Sequence, residues 1–194
     1  MSTAVSPPAP KRMTAEEFFA LPDDGRERWL LRGEVYPREP AVTVRNRAHG
    51  EVEARVGSVL LGWLDHQPEP RGKIHSGEAG FRLGRDPDTV FGIDVAYASA
   101  ELVRSTDPGS PYYDGPPVLA VEILSPSDRH EDVVRKVRAY LQAGVVVWEV
   151  DPDFRRVSVH RPGQPSRTFA PDEELTTEPE LPDFRVVVAR IFGP

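Results

Sequence analysis

Apolar residues recur at helical spacing in two long segments of the chain. In residues 45–66 they fall on one stripe, as expected of a helix packed against a core. A second stripe runs through residues 129–143 and ends at Gly144, a residue type that commonly terminates helices. The stripes comprise Val52, Val56, Val59, Leu60, Trp63 and Leu64 in the first segment, and Val133, Val134, Val137, Tyr140 and Leu141 in the second. Thr14 and Glu17 match the capping box of a shorter helix near the N-terminus.

Short apolar or alternating runs predict β-strands between these helices. They lie within residues 26–37 (a pair turning at Gly33), 72–84, 89–99, 118–124, 145–150 and 155–161, with a last strand or short helix in residues 184–192. Residues 118–150 follow the order strand, helix, strand, which predicts parallel neighbours joined by a right-handed crossover. We therefore expect an α/β fold, with a mixed sheet flanked by helices, in a single domain over residues 13–194. The proline-rich residues 1–12 are expected to be a disordered tail.

Composition narrows the possible chemistry. The 194-residue chain has no cysteine, so disulfides, thiolate catalysis and cysteine-bound zinc are excluded. A net charge of −7 argues against the broad basic surface of a strong nucleic-acid binder, although it permits a local basic cleft. No apolar run approaches the ~20 residues of a membrane span, and no secretory signal is evident. A cytoplasmic location without membrane contact is the expectation.

Two predicted strands each carry one acidic residue among apolar ones. Glu122 lies inside the run 118–124, and Asp94 lies inside the run 89–99. Burying an unpaired carboxylate costs several kcal/mol or shifts its pKa, so each acid needs a partner. If the strands are neighbours with both acids on one face, two carboxylates and a main-chain carbonyl form an oxygen-rich site for a hard cation such as Mg²⁺.

Lys136 is the third candidate for this site. It lies at the border of the apolar stripe of the helix that follows Glu122, from which its ammonium could reach over the strand ends. The chain has 21 arginines and only three lysines, so a lysine between Arg135 and Arg138 favours a role that arginine fills poorly, such as a compact charge near a reacting water and phosphate. Two acids and a lysine around a metal could hydrolyse a phosphodiester.

The sequence "GIDVAYA … VLAVEILSPSDRHEDVVRKVRAYLQAGVVVWEVDP" resembles the Uma-type family of restriction-endonuclease-like proteins, within the PD-(D/E)XK nuclease superfamily. The resemblance covers most of the chain after Met13. It implies a restriction-endonuclease-like core and magnesium-dependent DNA cleavage, with Mn²⁺ as a possible substitute. It further implies catalytic roles for Asp94 and Glu122. From the residues themselves, Lys136 is the third catalytic candidate, and Asp94, Glu122 and the main chain of Ile123 are the expected metal ligands.

The chain departs from the superfamily pattern at three positions. Ile93 replaces the proline before the first acid, a change without chemical consequence. Leu124 stands where the superfamily has its lysine, so either Lys136 supplies the basic group or the site is inactive. Trp29 replaces an acid in the strand before Gly33, which could weaken a supporting contact.

Structural explanations compete with each functional assignment. Glu122 could be a buried acid paired with an arginine, and Asp94 could belong to a bulge or turn. Lys136 could form an exposed pair with Asp132. His49, on the apolar face of the first long helix, and Glu53 one turn later are more often near-core residues than catalytic ones, so we treat them, with Tyr140, as supporting candidates.

The loop before the second long helix has its own polar residues. Ser125 and Ser127 are expected to start that helix, with Asp128 and Glu131 fitting a capping pair. A serine nucleophile is not favoured, because neither a base nor a strained strand-to-helix turn is evident.

Three functions remain open from the sequence. The first is a magnesium-dependent endonuclease acting on DNA, expected to be a homodimer because two symmetric sites most simply cut both strands of a duplex. The alternative is a catalytically silent nucleic-acid-binding or interaction module with the same fold. A third is a metal-dependent hydrolase of a small phosphoester.

Overall fold

A computed structural model describes residues 12–22, 24, 28–37, 46–126 and 128–193. The helices are α1 (Ala15–Phe19), α2 (Arg47–Leu64), α3 (Ala100–Ser105), α4 (His130–Gln142) and α5 (Ala189–Phe192). The strands are β1 (Arg28–Leu31), β2 (Glu34–Pro37), β3 (Lys73–Gly84), β4 (Thr89–Ala98), β5 (Leu119–Ile123), β6 (Val146–Asp151), β7 (Arg156–His160), β8 (Arg167–Phe169), β9 (Glu174–Thr176) and β10 (Arg185–Val187). The expected tail lies outside the described residues except for Arg12, and its disorder stays a prediction.

Within the described residues, eight strands form one mixed sheet in the order β2–β1–β4–β5–β6–β7–β8, with β3 also paired to β4. β5 and β6 are parallel, as predicted for the strands on either side of α4, and β4 pairs with β5 in the antiparallel sense. β9 and β10 form a separate antiparallel pair. The expected α/β fold with a mixed sheet flanked by helices is confirmed.

Helices cover both faces of the sheet because each long helix has one apolar stripe to bury. Val56 and Leu60 of α2 pack in the cluster that contains Val95, Val121 and Trp148. Two residues of α4, Val137 and Tyr140, pack in the other large cluster. Their neighbours there include residues from three strands, namely Phe91, Ala96, Ala120 and Val147. The face of β5 that carries Ala120 is also the face of Glu122, since alternate residues of a strand share a face. Glu122 therefore lies on the α4 side.

Several elements differ from the sequence expectation. α3, β8 and β9 were not predicted, and residues 184–192 form both a strand and a short helix. The prediction that Ser125 starts α4 is wrong. Its helix cap is Arg129, which makes no side-chain capping bond, because the carboxylate of Asp128 turns back to accept the Ser125 N–H at 2.8 Å. Ser127 lies outside the described residues.

A buried arginine ties α1 to the strands next to it. Arg82 is 5% exposed; its Nε donates to Asp114 Oδ1 at 2.7 Å, and one terminal nitrogen donates to Glu16 Oε1 at 3.0 Å. The same nitrogen lies 3.5 Å from Asp88 Oδ2, which accepts the Ala15 N–H. One guanidinium thus holds α1, the turn before β4 and the loop before β5 together.

We expect Arg82→Met to lower the free energy of unfolding by roughly 2–3 kcal/mol, because it leaves three acids without their shared buried cation. Arg85→Met is the matched control. Arg85 also pairs with Asp114 but is 60% exposed, so its loss should cost less than about 1 kcal/mol. Urea unfolding of both variants measures the difference, and equal losses would contradict a special role for the buried arginine.

Candidate active site

The candidate site lies where β4 changes its hydrogen-bonding partner. β3 pairs along one edge of β4. The other edge is shared: Val90 pairs with Leu30 of β1, whereas β5 pairs with residues 95–97. Asp94 falls between these two partners, at the fork where β1 and β5 separate. The β4–β5 register pairs Val95 with Val121, so the next step along both strands brings Asp94 alongside Glu122.

Asp94 fills the fork with its side chain. Its Oδ2 accepts the main-chain N–H of Ile123 at 2.8 Å, and His49 Nε2 lies 3.4 Å from the same oxygen. Burial opposes ionisation of Asp94, which is 5% exposed. The contact with His49, the charge of Lys136 and the Ile123 N–H together outweigh that burial and hold the pKa of Asp94 below its usual value.

Glu122 has two partners, both from α4. Lys136 Nζ donates to Oε2 at 2.6 Å, and the Tyr140 hydroxyl donates to Oε1 at 2.5 Å. Burial raises the pKa of Glu122; the nearby Lys136 ammonium opposes this increase and the charge of Asp94 adds to it. Lys136 and Tyr140 are four residues apart, so they project from one side of α4 and hold both oxygens of one carboxylate.

These contacts decide between the alternatives raised by the sequence. The partner of Glu122 is a lysine and a tyrosine rather than an arginine. Asp132 pairs with Arg135 at 3.0 Å instead of with Lys136. Burial raises the pKa of Tyr140 well above its usual value, with the Glu122 charge as a further cause, so the hydroxyl keeps its proton and remains a donor.

One turn of α2 supports the fork from the opposite face. His49 is 1% exposed, and its Nδ1 lies 3.8 Å from Glu53 Oε2 while its Nε2 faces Asp94. The other oxygen of Glu53 accepts the N–H of Gly77 in β3 at 2.8 Å. The structure therefore brings both supporting candidates of α2 to the site, with His49 directly against Asp94.

A cavity of about 60 Å³ opens in front of these residues. Its lining contains five acidic and three basic side chains: Glu78, Asp94, Glu122, Asp128 and Asp132, with Arg28, Arg129 and Lys136. The formal charge of this lining is −2. Trp29 and Leu124 form its apolar wall, and Lys136 Nζ lies 6.0 Å from the centre of the Trp29 ring.

The sequence interpretation missed Glu78 and Arg28 as lining residues. The one available signal for Glu78 was Gly77, since an isolated glycine inside a strand often marks a bulge. The ladder between β3 and β4 indeed shifts between Ser76 and Ala79. Arg28 and Arg129 come from separate parts of the chain, and only the folded topology brings them to one cavity.

Side chains alone provide only part of the ligand set that a hard divalent cation needs. No group of three or more His, Asp or Glu side chains in the described part of the chain is placed to hold a metal ion. Two carboxylates and one main-chain carbonyl remain as a donor set. The N–H of Ile123 points to Asp94, and the N–H and C=O of one strand residue point to the same side, so the Ile123 carbonyl faces the same fork. Carboxylates retain acceptor positions beyond those already used, so Asp94, Glu122 and Ile123 offer three oxygen ligands.

Comparison with known families identifies the family to which this chain belongs. The family model "Uma2: Putative restriction endonuclease" matches residues 15–189. The chain belongs to the Uma2 family. The matched range contains the fork, α4 and the α2 residues that contact Asp94, so the whole candidate site lies within the Uma2 region.

A solved structure shows the same fold. A crystal structure from Anabaena variabilis, titled as a "putative nuclease belonging to DUF820", superposes with a TM-score of 0.77 at 20% sequence identity. The superposition covers 93% of this chain and 97% of the other. No curated protein matches the chain. No helix among the described residues is long and apolar enough to span a membrane.

The raised pKa of Glu122 generates a pH prediction for the metal-free protein. The folded state binds a proton on Glu122 more tightly than the unfolded chain does, in which the pKa of Glu122 is near 4.5. The stabilisation that Glu122 contributes is therefore fully present below pH 4.5. It is lost as the pH rises through the higher folded-state pKa. The free energy of unfolding of the wild type minus that of Glu122→Gln should therefore fall from acidic to neutral pH.

Urea unfolding across this pH range measures that difference, with Glu101→Gln, at an exposed position of α3, as the control. A difference that increases with pH would instead mean that Lys136 lowers the pKa of Glu122.

Proposed function

We propose that this protein is a magnesium-dependent endonuclease that hydrolyses phosphodiester bonds of DNA. The observation that carries the proposal is the contact of Lys136 with Glu122, beside Asp94, at the open end of a sheet fork. Membership of the Uma2 family and the nuclease-type fold support it. Mn²⁺ is the expected substitute for Mg²⁺, since both prefer oxygen ligands.

The proposed cation ligands are the carboxylates of Asp94 and Glu122 and the carbonyl of Ile123. When bound there, Mg²⁺ would polarise the scissile phosphate and lower the pKa of a nearby water. His49 and the Ile123 N–H keep Asp94 ionised and fixed in direction, and Tyr140 fixes one oxygen of Glu122. These residues keep the ligands in place before substrate arrives.

Lys136 is proposed to stabilise the negative charge that develops on the phosphoryl oxygens. Its side chain is 17% exposed, and Nζ lies 6.0 and 5.9 Å from the ring centres of Trp29 and Phe91. This apolar surrounding strengthens its attraction for an anion compared with the same charge in water. In this proposal, Lys136 of α4 replaces the lysine that the superfamily has at the position of Leu124, so the site keeps a basic group.

DNA is the proposed partner, and a homodimer is the proposed assembly. Arg28 and Arg129 flank the cavity and could contact phosphates on either side of the cut bond. Because the net charge is −7, the affinity for DNA is proposed to come from this local basic region rather than from the surface as a whole. A dimer would present two such cavities to the two strands of a duplex.

The silent-module alternative retains one specific observation in its favour. The lysine expected two residues after Glu122 is replaced by Leu124, which lines the cavity as an apolar residue. A protein that binds Mg²⁺ at the two acids yet cleaves neither DNA nor a small chromogenic diester would be this module. Cleavage of the diester alone would identify a small-phosphoester hydrolase.

Mg²⁺ should stabilise the wild type, because it binds the folded state and offsets repulsion between two neighbouring acids. At about ten times the dissociation constant, binding adds about 1.4 kcal/mol, which corresponds to a Tm increase of roughly 3–5 °C. Differential scanning calorimetry with and without Mg²⁺ measures the increase. The Asp94→Asn/Glu122→Gln double variant is the control, and an equal increase in that variant would place the ion elsewhere.

Wild-type protein is expected to cleave plasmid DNA in a Mg²⁺ or Mn²⁺ series, and Lys136→Ala should reduce the rate by about 10²-fold or more. Lys136→Arg should recover little, since a guanidinium is larger and shaped for bidentate contacts. Arg138→Ala, which removes an exposed cation two residues along α4, is the matched control and should cleave at the wild-type rate. Comparable rates for wild type and Lys136→Ala would remove this lysine from the mechanism.

A further inference from the structure

The bulge in β3 has an unusual backbone conformation at its centre. Ser76 pairs with Val95 and Ala79 with Ile93, so β3 uses one more residue than β4 across this interval. Gly77 and Glu78 occupy the extra length with φ values of 78° and 60°. Glycine adopts such angles readily, but glutamate does so only at an energetic cost. Strained residues of this kind are retained mainly where the surrounding structure and function require them.

Gly92 of β4 leaves space for the side chain that this bulge projects. A Cβ atom at position 92 would lie 2.7 Å from Glu78 Oε2 and 3.1 Å from the Glu78 carbonyl oxygen, which is closer than van der Waals contact. The carboxylate of Glu78 therefore lies directly over Gly92, two residues before Asp94. Glu78 and Gly92 both line the cavity that contains Asp94 and Glu122.

α2 contacts both the bulge and Asp94. The carboxylate of Glu53 accepts the Gly77 N–H at 2.8 Å and approaches His49, whose other ring nitrogen faces Asp94. Because one helical turn contacts both features, the position of Glu78 is coupled to that of the proposed cation ligand.

Phosphodiester hydrolysis needs a group that accepts a proton, and the central residues are poorly suited to that task. The Lys136 ammonium is a donor without an acceptor position. Asp94 and Glu122 are the proposed cation ligands, so the acceptor positions left by their hydrogen bonds would be occupied by the cation. Glu78 approaches from the opposite strand edge and is exposed to solvent, from which the attacking water enters.

We propose that Glu78 is a further catalytic residue, whose carboxylate orients the attacking water and accepts its proton; this inference rests on the proposed nuclease function. The water oxygen forms a new bond to phosphorus while one water proton passes to a Glu78 carboxylate oxygen. The bond from phosphorus to the leaving oxygen breaks, and that oxygen keeps the electron pair and takes a proton from bulk water. Glu78 then returns its proton to solvent.

Three variants test this role through plasmid cleavage, Mg²⁺ titration calorimetry and thermal unfolding. Glu78→Gln keeps the shape of the side chain but removes its basicity, so cleavage should fall about 10²-fold while the Mg²⁺ dissociation constant changes by less than about threefold. Glu78→Gly should lose the same activity while its Tm equals or exceeds that of the wild type, because glycine relieves the strained φ. Glu101→Gln, on the exposed face of α3, is the control and should match the wild type.

The outcomes separate the two proposals. Wild-type cleavage that persists within about threefold in Glu78→Gln would overturn the role of Glu78 and leave the nuclease assignment intact. A parallel loss of Tm and activity in Glu78→Gly would make Glu78 a structural residue. Loss of Mg²⁺ affinity by more than about tenfold in Glu78→Gln would make it a cation ligand instead of a proton acceptor. A wild type that cleaves no DNA would overturn the nuclease function, and the role of Glu78 with it.

Discussion

The hydrogen bond from the Ile123 N–H to Asp94 is the interaction on which the site depends. At the fork, β1 has already left β4 and β5 has not yet paired with it, so the main chain of Ile123 faces a carboxylate instead of a strand. A buried N–H without a partner is costly, and Asp94 removes that cost with a group that can also bind a cation. The same residue therefore completes the sheet and is also a proposed cation ligand. Its fixed position follows from hydrogen bonding that the fold requires in any case.

Glu122 shows how a second acid can be kept beside the first. Its burial is tolerated because α4 supplies a cation and a hydroxyl from consecutive turns, one for each carboxylate oxygen. The parallel crossover from β5 through α4 to β6 places that helix over the strand end. The topology therefore determines which side chains neutralise the charge of Glu122. Trp29 and Leu124 line the same cavity, and the low polarity of their side chains strengthens the interaction between these charges.

The sequence was informative where periodicity and chemistry agreed. Glu122 within an apolar strand, followed by Lys136 at the edge of an amphipathic stripe, was enough to predict their proximity, because strand and helix periods fix which side chains face each other. α3, β8 and β9 escaped prediction because elements of three to six residues are too short to show a period. The position of α4 was predicted, but its capping residues were misassigned because Asp128 bonds backward to Ser125 instead of capping the helix. Glu78 could not be placed at the site, since the direction of its side chain depends on a bulge whose register is set by pairing with β4.

The bulge has an evolutionary consequence. It adds a single residue to β3 between two stretches that pair regularly with β4. Deleting one residue there would join the two stretches without changing how either pairs with β4. All remaining side chains of β3 would then keep their face of the sheet. A one-codon insertion or deletion could thus add or remove the third carboxylate while leaving the fork, α4 and the buried acid pair unchanged. Related domains could then differ in this group alone, and diversify in chemistry without rebuilding their core.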